Sequence, residues 1–321
     1  MSEKFIISII GIFILMNQSH AQTYPIRPIT LVVPFVAGGA FDVVARLTSE
    51  KLGNKLGQPV VVENKPGAGG TLGGRVVSRA KPDGYTLLLS GVGPISISPA
   101  VYKNLGYIPT DVLTPVIQLT SSPFVLVSSN EFNGSSVQDL VKMLKENPSK
   151  YSYASTGNGT LVHLAGEYFK NKTETNAQHI PYGGGSQATV SLLSGHTLYS
   201  ITNIPNVKNH IDDGKLRAIA TTGHTRSEAL PNTPTMQESG LKGFELTGWI
   251  GIFAPTGTPE NIINKLNAAY TQVMDDPKIR EALRAQGDIV ATDSVEKFKV
   301  FLGRSNDFWA NVAKMAKVSL D

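Results

Sequence analysis

The chain predicts an α/β protein of about two domains with largely parallel sheets. Three observations carry that expectation. Apolar runs of strand length alternate with helix-periodic segments along the chain. Gly-rich turns join several of the strand ends to the helices that follow. The 321 residues also exceed what one hydrophobic core usually fills, roughly 250–300 residues.

In chain order, residues 29–35 (ITLVVPF) are a continuous apolar run followed by a Gly-rich turn. Residues 42–56 carry Val43, Val44, Leu47, Leu52 and Leu56 at helical spacing and stop at Gly57. Residues 60–62 form the next strand, and residues 85–89, 124–128, 151–155, 198–202 and 216–221 repeat the strand pattern. Helix starts between them are marked. Ser136 with Asp139 three residues on is a capping-box-like start for a helix over 139–145. Thr258-Pro259-Glu260 places an N-cap, an N1 proline and an acid ahead of Ile262, Ile263, Leu266 and Tyr270. Asp276-Pro277 does the same for a helix ending at Gly287. Residues 294–318 close the chain with Val295, Phe298, Leu302, Trp309 and Val312 on one stripe. No repeat or low-complexity tract divides the chain.

The first residues read differently. Residues 1–4 are a polar start with one Lys, and residues 5–16 (FIISIIGIFILM) are unbroken apolar sequence. That run is shorter than the ~20 residues a membrane-spanning helix needs, and it fits the apolar core of a signal peptide. Ser19 and Ala21 put small residues at −3 and −1 before Gln22. The expectation is an exported protein whose signal peptide, residues 1–21, is cleaved after Ala21, leaving a soluble periplasmic chain. No Cys follows to carry a lipid anchor. The absence of Cys also excludes thiolate metal sites, thiol nucleophiles and iron–sulfur clusters.

The net charge of +4 is spread without a dense Lys/Arg cluster, so no nucleic-acid partner is expected. A mild positive field of this kind favours anionic ligands.

Three strand–Gly turn–helix units stand out: residues 34–42 (PFVAGGAFD), 155–163 (STGNGTLVH) and 181–187 (PYGGGSQ). Glycine lets the backbone bend tightly and leaves N–H groups uncovered, while a helix N-terminus adds about half a positive charge. Such a turn holds a carboxylate or phosphate without any Arg. A fourth segment, residues 66–74 (PGAGGTLGG), fails the dinucleotide spacing because Leu72 stands where the third Gly belongs. It reads as a structural or ligand-proximal turn.

Enzyme signatures are sparse. There is no GxSxG, since Gly184-Gly185-Ser186-Gln187-Ala188 lacks the last Gly. His163, His179, His196, His210 and His224 have no metal-ligand spacing, so no metal and no cofactor are expected. His163 reads as a helix-start packing or hydrogen-bonding residue, and Asp42 as a carboxylate that caps its own helix. No catalytic residue is assigned.

The combination resembles the Bug family, the extracytoplasmic solute receptors of tripartite tricarboxylate transporters, over nearly the whole chain after residue 23. The resemblance is carried by Tyr24-Pro25, Arg27-Pro28-Ile29, Val33-Pro34-Phe35 with Ala37-Gly38-Gly39 and Asp42, then Val62-Glu63-Asn64 with Pro66-Gly67-Ala68-Gly69-Gly70. Pro82-Asp83-Gly84-Tyr85, Gly157-Asn158-Gly159 with His163-Leu164-Ala165, Pro181-Tyr182-Gly183-Gly184, Pro234-Thr235, Trp249 and Ala254-Pro255 continue it. It implies a periplasmic-binding-protein (Venus flytrap) fold of type II-like topology with crossover strands. Residues 24–122 plus 250–321 would form domain 1 and residues 123–249 domain 2. It also implies a monomer that binds a small organic acid, a di- or tricarboxylate or an aromatic acid, and hands it to a two-component membrane permease.

The implied ligand site has two sides. The backbone of Gly38, Gly39, Ala40, Phe41 and Asp42 holds a carboxylate with ordered waters, and Ser155, Thr156, Gly157, Asn158, Gly159 and Thr160 close over the other end. Phe35, Phe41, Tyr182 and Gly183 shape the walls. Asn203 marks the far end, where relatives often carry Asp-Asn and this chain has Thr202-Asn203. Two other readings stay open: a sensor subunit signalling to a membrane kinase, and an exported hydrolase using Ser186 or Ser155 with His163.

Overall fold

The computed structural model describes residues 24–320; the expected signal peptide lies outside the described residues. Among those residues the strands are β1 (Ile29–Val33), β2 (Val60–Asn64), β3 (Thr86–Gly91), β4 (Leu113–Ser128), β5 (Ser152–Ser155), β6 (Gln178–Pro181), β7 (Tyr199–Asn203), β8 (Arg217–Thr221), β9 (Thr247–Pro255) and β10 (Ile289–Val290).

Two sheets share one strand. The first half of β4 pairs antiparallel with β9 and carries β10, and β9 continues to β3, β1 and β2, of which the last three are mutually parallel. Beyond Pro123 the same strand changes partners. Phe124 pairs with Asn203 of β7, and Val125 pairs with Thr221 of β8 on the other side. Parallel β5 and β6 complete the second sheet. This is the two-domain binding-protein fold, each half parallel at its core and joined by antiparallel strands.

Burial on both faces explains the apolar runs. Ile29, Leu31 and Val33 face one core with Val44 and Leu52 of the helix Ala40–Leu56 and Leu266 and Tyr270 of the helix Glu260–Met274. Val32 and Leu88 face the opposite core with Val77, Phe298 and Trp309. That second core runs on into the other half. There the Tyr168 ring meets Phe308 of the helix Val295–Met315 edge to face, with centroids 5.2 Å apart. The last helix is therefore packed against both halves.

Several expectations are corrected in detail. The strand read as residues 124–128 is the end of a sixteen-residue strand. Pro115 and Pro123 hide its first half, since proline is normally confined to edges and bulges, and the register does shift between Pro115 and Ile117. The strand read at 29–35 ends at Val33, because Pro34 and Phe35 bend into the turn. The helix expected from residue 42 begins at Ala40, after the extended N-cap Gly39. Thr258 is not an N-cap: its hydroxyl donates to the Pro255 carbonyl, and Pro259 occupies the cap position. Ser136 does make a full capping box with Asp139, but its helix, Val137–Glu146, starts two residues earlier than read. The helix after Asp276-Pro277 runs Pro277–Ala285 and stops before Gly287. Residues 247–255, unassigned in the sequence, are the central strand β9.

Candidate functional site

Parallel strands place their carboxyl ends at one edge of a sheet, and the turns leaving those ends face a common side. In the first sheet the turn after β1 holds Phe35, Gly38, Gly39, Ala40, Phe41 and Asp42. In the second sheet the turns after β5, β6 and β7 hold Ser155 to Thr160, Tyr182 with Gly183, and Asn203. Asn203 is exposed and occupies the N-cap position of the helix Ile204–Asp212.

The first loop is a folded-back turn. Asp42 is 3% exposed, and its Oδ2 accepts the Gly38 amide at 2.9 Å and Arg46 Nε at 2.9 Å. Its Oδ1 accepts Asn64 Nδ2 at 2.9 Å, and the same Asn64 amide donates to the Phe35 carbonyl. The Arg46 hydrogen bond is the main reason the Asp42 carboxyl is held at about 2, with the Gly38 and Asn64 donors helping against burial. Asp42 thus reaches back across the loop instead of capping at the N-cap itself, and every one of its acceptor sites named here is used. What remains free by geometry are the first amides of the helix, Ala40, Phe41 and Asp42, which have no carbonyl four residues back. Residues 38 and 40 are exposed.

Phe35 and Phe41 pack on each other, with centroids 4.4 Å apart. Their edges fill the space a side chain would need at Gly70 and Gly91: a Cβ at Gly91 would stand 2.9 Å from Phe41 Cζ and overlap the Trp249 carbonyl. These rings therefore brace the loop against β3 and β9 as well as lining it.

The second loop is tied from below. Ser155 Oγ accepts the Gly157 amide at 3.1 Å and lies 2.6 Å from His179 Nε2. His163 Nδ1 accepts the Gly159 amide at 3.1 Å, and Thr160 caps the helix Leu161–Thr173 through the His163 amide. His163 is thus the hydrogen-bonding helix-start residue its position suggests. Tyr182 donates its amide to the Ser155 carbonyl at 3.0 Å, which joins the third turn to the second. The Tyr182 hydroxyl is 2.5 Å from Ser191 Oγ, so that side chain is anchored to its own helix, Gly185–Leu193.

The two loops are connected across the halves by packing. Gly159 abuts Leu320 and Val101; Tyr102, the next residue, approaches Gly69; and Gly70 abuts Phe35. The tail is fixed by its own bridge, with the Leu320 amide donating to the Val101 carbonyl and the Lys103 amide to the Leu320 carbonyl.

Three contributors were missed in the sequence. Asn64 and His179 act on loops 22 and 24 residues away, and nothing in their local spacing shows it. Gly91 did carry a signal, since Gly91-Val92-Gly93-Pro94 is a further strand–Gly turn leading directly into helix. The Ser155/His163 pairing weighed for a hydrolase is corrected: His179, not His163, meets Ser155, and the Ser155 hydroxyl is fully buried. An open groove of about 640 Å³ on the helix Val137–Glu146 is lined by Lys142, Lys145 and Lys172 but by no residue of these loops. Among the described residues no group of three or more His, Asp or Glu could hold a metal ion, and no helix is long and apolar enough to cross a membrane.

Residues 44–312 match the tripartite tricarboxylate transporter family receptor. The chain belongs to this receptor family. It is 35% identical over 319 residues to Protein BugT of Bordetella pertussis, covering 98% of each chain. Among solved structures it resembles R. palustris Rpa4515 with adipate, at 30% identity and a TM-score of 0.80, over 92% of this chain and 99% of that one. It also resembles MatC from Rhodopseudomonas palustris with bound malate, at 31% identity and a TM-score of 0.75, over 90% and 99%. The family match begins at residue 44, just past the first loop, and spans the whole of the second.

Proposed function

We propose that this receptor captures a small organic carboxylate between its halves and delivers it to a two-component membrane permease as a monomer. The observation that carries the reading is the first loop: Asp42 and Asn64 hold it so that the leading amides of the helix Ala40–Leu56 stay without a helical partner, at a turn where Gly38 and Ala40 are exposed. The dicarboxylates in the two R. palustris structures support the same class of ligand here. Residues 38–42 hold one carboxylate and residues 155–160 close over the other end, with Phe35, Phe41, Tyr182, Gly183 and Asn203 shaping the space between.

Domain 1 comprises residues 24–122 and 250–321, and domain 2 residues 123–249. The partner change of β4 at Pro123 and Phe124 supports that boundary. Closure needs only stronger binding to the closed state than to the open one. The chain is exported and loses residues 1–21, which is tested by sequencing the N-terminus of the periplasmic protein.

A thermal-shift screen of mono-, di- and tricarboxylates, aromatic acids, amino acids and neutral sugars tests the ligand class. A ligand at 100 times its Kd adds about 2.7 kcal/mol to the folded state. A shift with a sugar alone and with no acid would sink the reading. Transport is separated from sensing by deleting the receptor gene and measuring uptake in cells whose permease is expressed from a constitutive promoter: uptake of the acid stops if the receptor serves transport, and continues if it only signals.

A further inference from the structure

Beneath the second loop lies a column of rings. Tyr199 and Tyr153 stack with centroids 5.7 Å apart, Tyr153 and His179 at 5.0 Å, and His179 and His163 at 3.8 Å with planes only 7° apart. Tyr199 ends the column from β7, Tyr153 comes from β5, His179 from β6, and His163 from the helix Leu161–Thr173. Each imidazole then points one nitrogen at the loop: His163 Nδ1 at the Gly159 amide and His179 Nε2 at Ser155 Oγ.

We infer that His163 and His179 are positioning residues for ligand binding, a neutral stacked pair that fixes the closing loop, His163 by taking the Gly159 amide and His179 through the Ser155 hydroxyl that takes the Gly157 amide. This rests on the carboxylate-binding reading above. The Gly159 amide can donate only to a ring nitrogen with a free lone pair, so His163 is the neutral Nε2–H form. The Ser155 hydroxyl, held by His179, accepts the Gly157 amide. Two backbone points of one loop are thereby fixed by two rings packed beneath it.

The surroundings disfavour charge on both rings. His163 is 7% exposed. Burial lowers its pKa, opposed by Glu167 and aided by Lys170 on the same helix. Burial, and then the neighbouring His163, push His179 down to about 4, with Glu167 opposing and Lys170 adding to the shift. Glu167 is itself engaged by the Tyr153 hydroxyl at 2.7 Å and by Lys170 at 2.8 Å, so it is not free to pair with an imidazolium. Two parallel rings this close do not both carry charge.

The test compares leucine, which keeps bulk, with amides that keep the acceptor. Affinities for malate and adipate are measured by calorimetry at pH 7.5. His163→Leu and His179→Leu should each weaken binding about tenfold, the loss of one oriented hydrogen bond. His163→Asn, whose Oδ1 stands in for Nδ1, and His179→Gln, which stands in for Nε2, should recover most of it. Equal affinity in all four variants, or equal loss in leucine and amide variants, overturns the inference. A second arm uses ligand-free wild type. Nitrogen NMR at pH 7.5 should show His163 unprotonated at Nδ1, and Gly157 and Gly159 amides exchanging faster in the leucine variants. A protonated Nδ1, or unchanged exchange, overturns the inference even if no acid binds. Failure of every acid to bind wild type defeats the carboxylate reading instead.

Discussion

Asp42 Oδ2 accepts the Gly38 amide at 2.9 Å, across the turn that carries the first loop's exposed amides. Asp42→Ala removes the shared acceptor of Gly38, Arg46 and Asn64. Unfolding in urea should show a loss of about 1–3 kcal/mol, the penalty of stranding buried donors, and carboxylate affinity should fall with it. The pH dependence has a definite sign. The folded carboxyl sits at about 2, below its unfolded value, so its contribution is complete above roughly pH 4 and fades as pH falls toward 2. The gap between wild type and Asp42→Asn should narrow over that window.

Gly39→Val separates binding from folding. Gly39 has φ −78, and a Cβ there would meet only the Val36 carbonyl, at 3.5 Å. Thermal unfolding should therefore stay within a few degrees of wild type. Affinity should drop at least tenfold, because the branched side chain blocks approach to the amides that follow. Unchanged affinity would remove this loop from the site.

Gly159 is constrained on two sides, by φ +69 and by Leu320. Gly159→Ala should cost roughly 1–2 kcal/mol for the left-handed backbone alone, plus a steric part from the Leu320 side chain. Adding Leu320→Ala should recover the steric part only. A double-mutant cycle on urea midpoints measures the coupling, and additive losses would show that the tail does not press on the loop.

Asp288 sits where β10 meets β4 and bonds Ser122 Oγ. Burial lifts its pKa to about 6, with the Ser122 hydrogen bond opposing. A raised carboxyl stabilises the fold only while protonated, so that benefit is lost as pH rises through about 6. Asp288→Asn should be more stable than wild type by about 1–2 kcal/mol at pH 7.5 and close to it at pH 4. The comparison is made by denaturation at both pH values.

Much of the fold was legible because its signals are local. The apolar runs of β1 and β3, the cap at Ser136 and the Gly turns after β1, β5 and β6 depend on neighbours a few residues away. The first half of β4 and all of β9 were not legible. Pro115 and Pro123 break the strand pattern, and β9 is held by pairing with residues more than a hundred positions earlier. At the site, the loops could be read from their glycines, but the residues that shape them could not. Asn64 and His179 are ordinary in composition and matter only through what they touch.

By itself the sequence determined that helices open directly from Gly-rich strand ends, since turn geometry and helix-terminal amides follow from local residue types. Only the tertiary structure decided which amides stay free. Asp42 consumes Gly38's donor, His163 consumes Gly159's, and Leu320 reaches Gly159 from a part of the chain with no sequence link to it. Hydrogen bonds and packing of that range form only when the whole chain folds, so no periodicity records them.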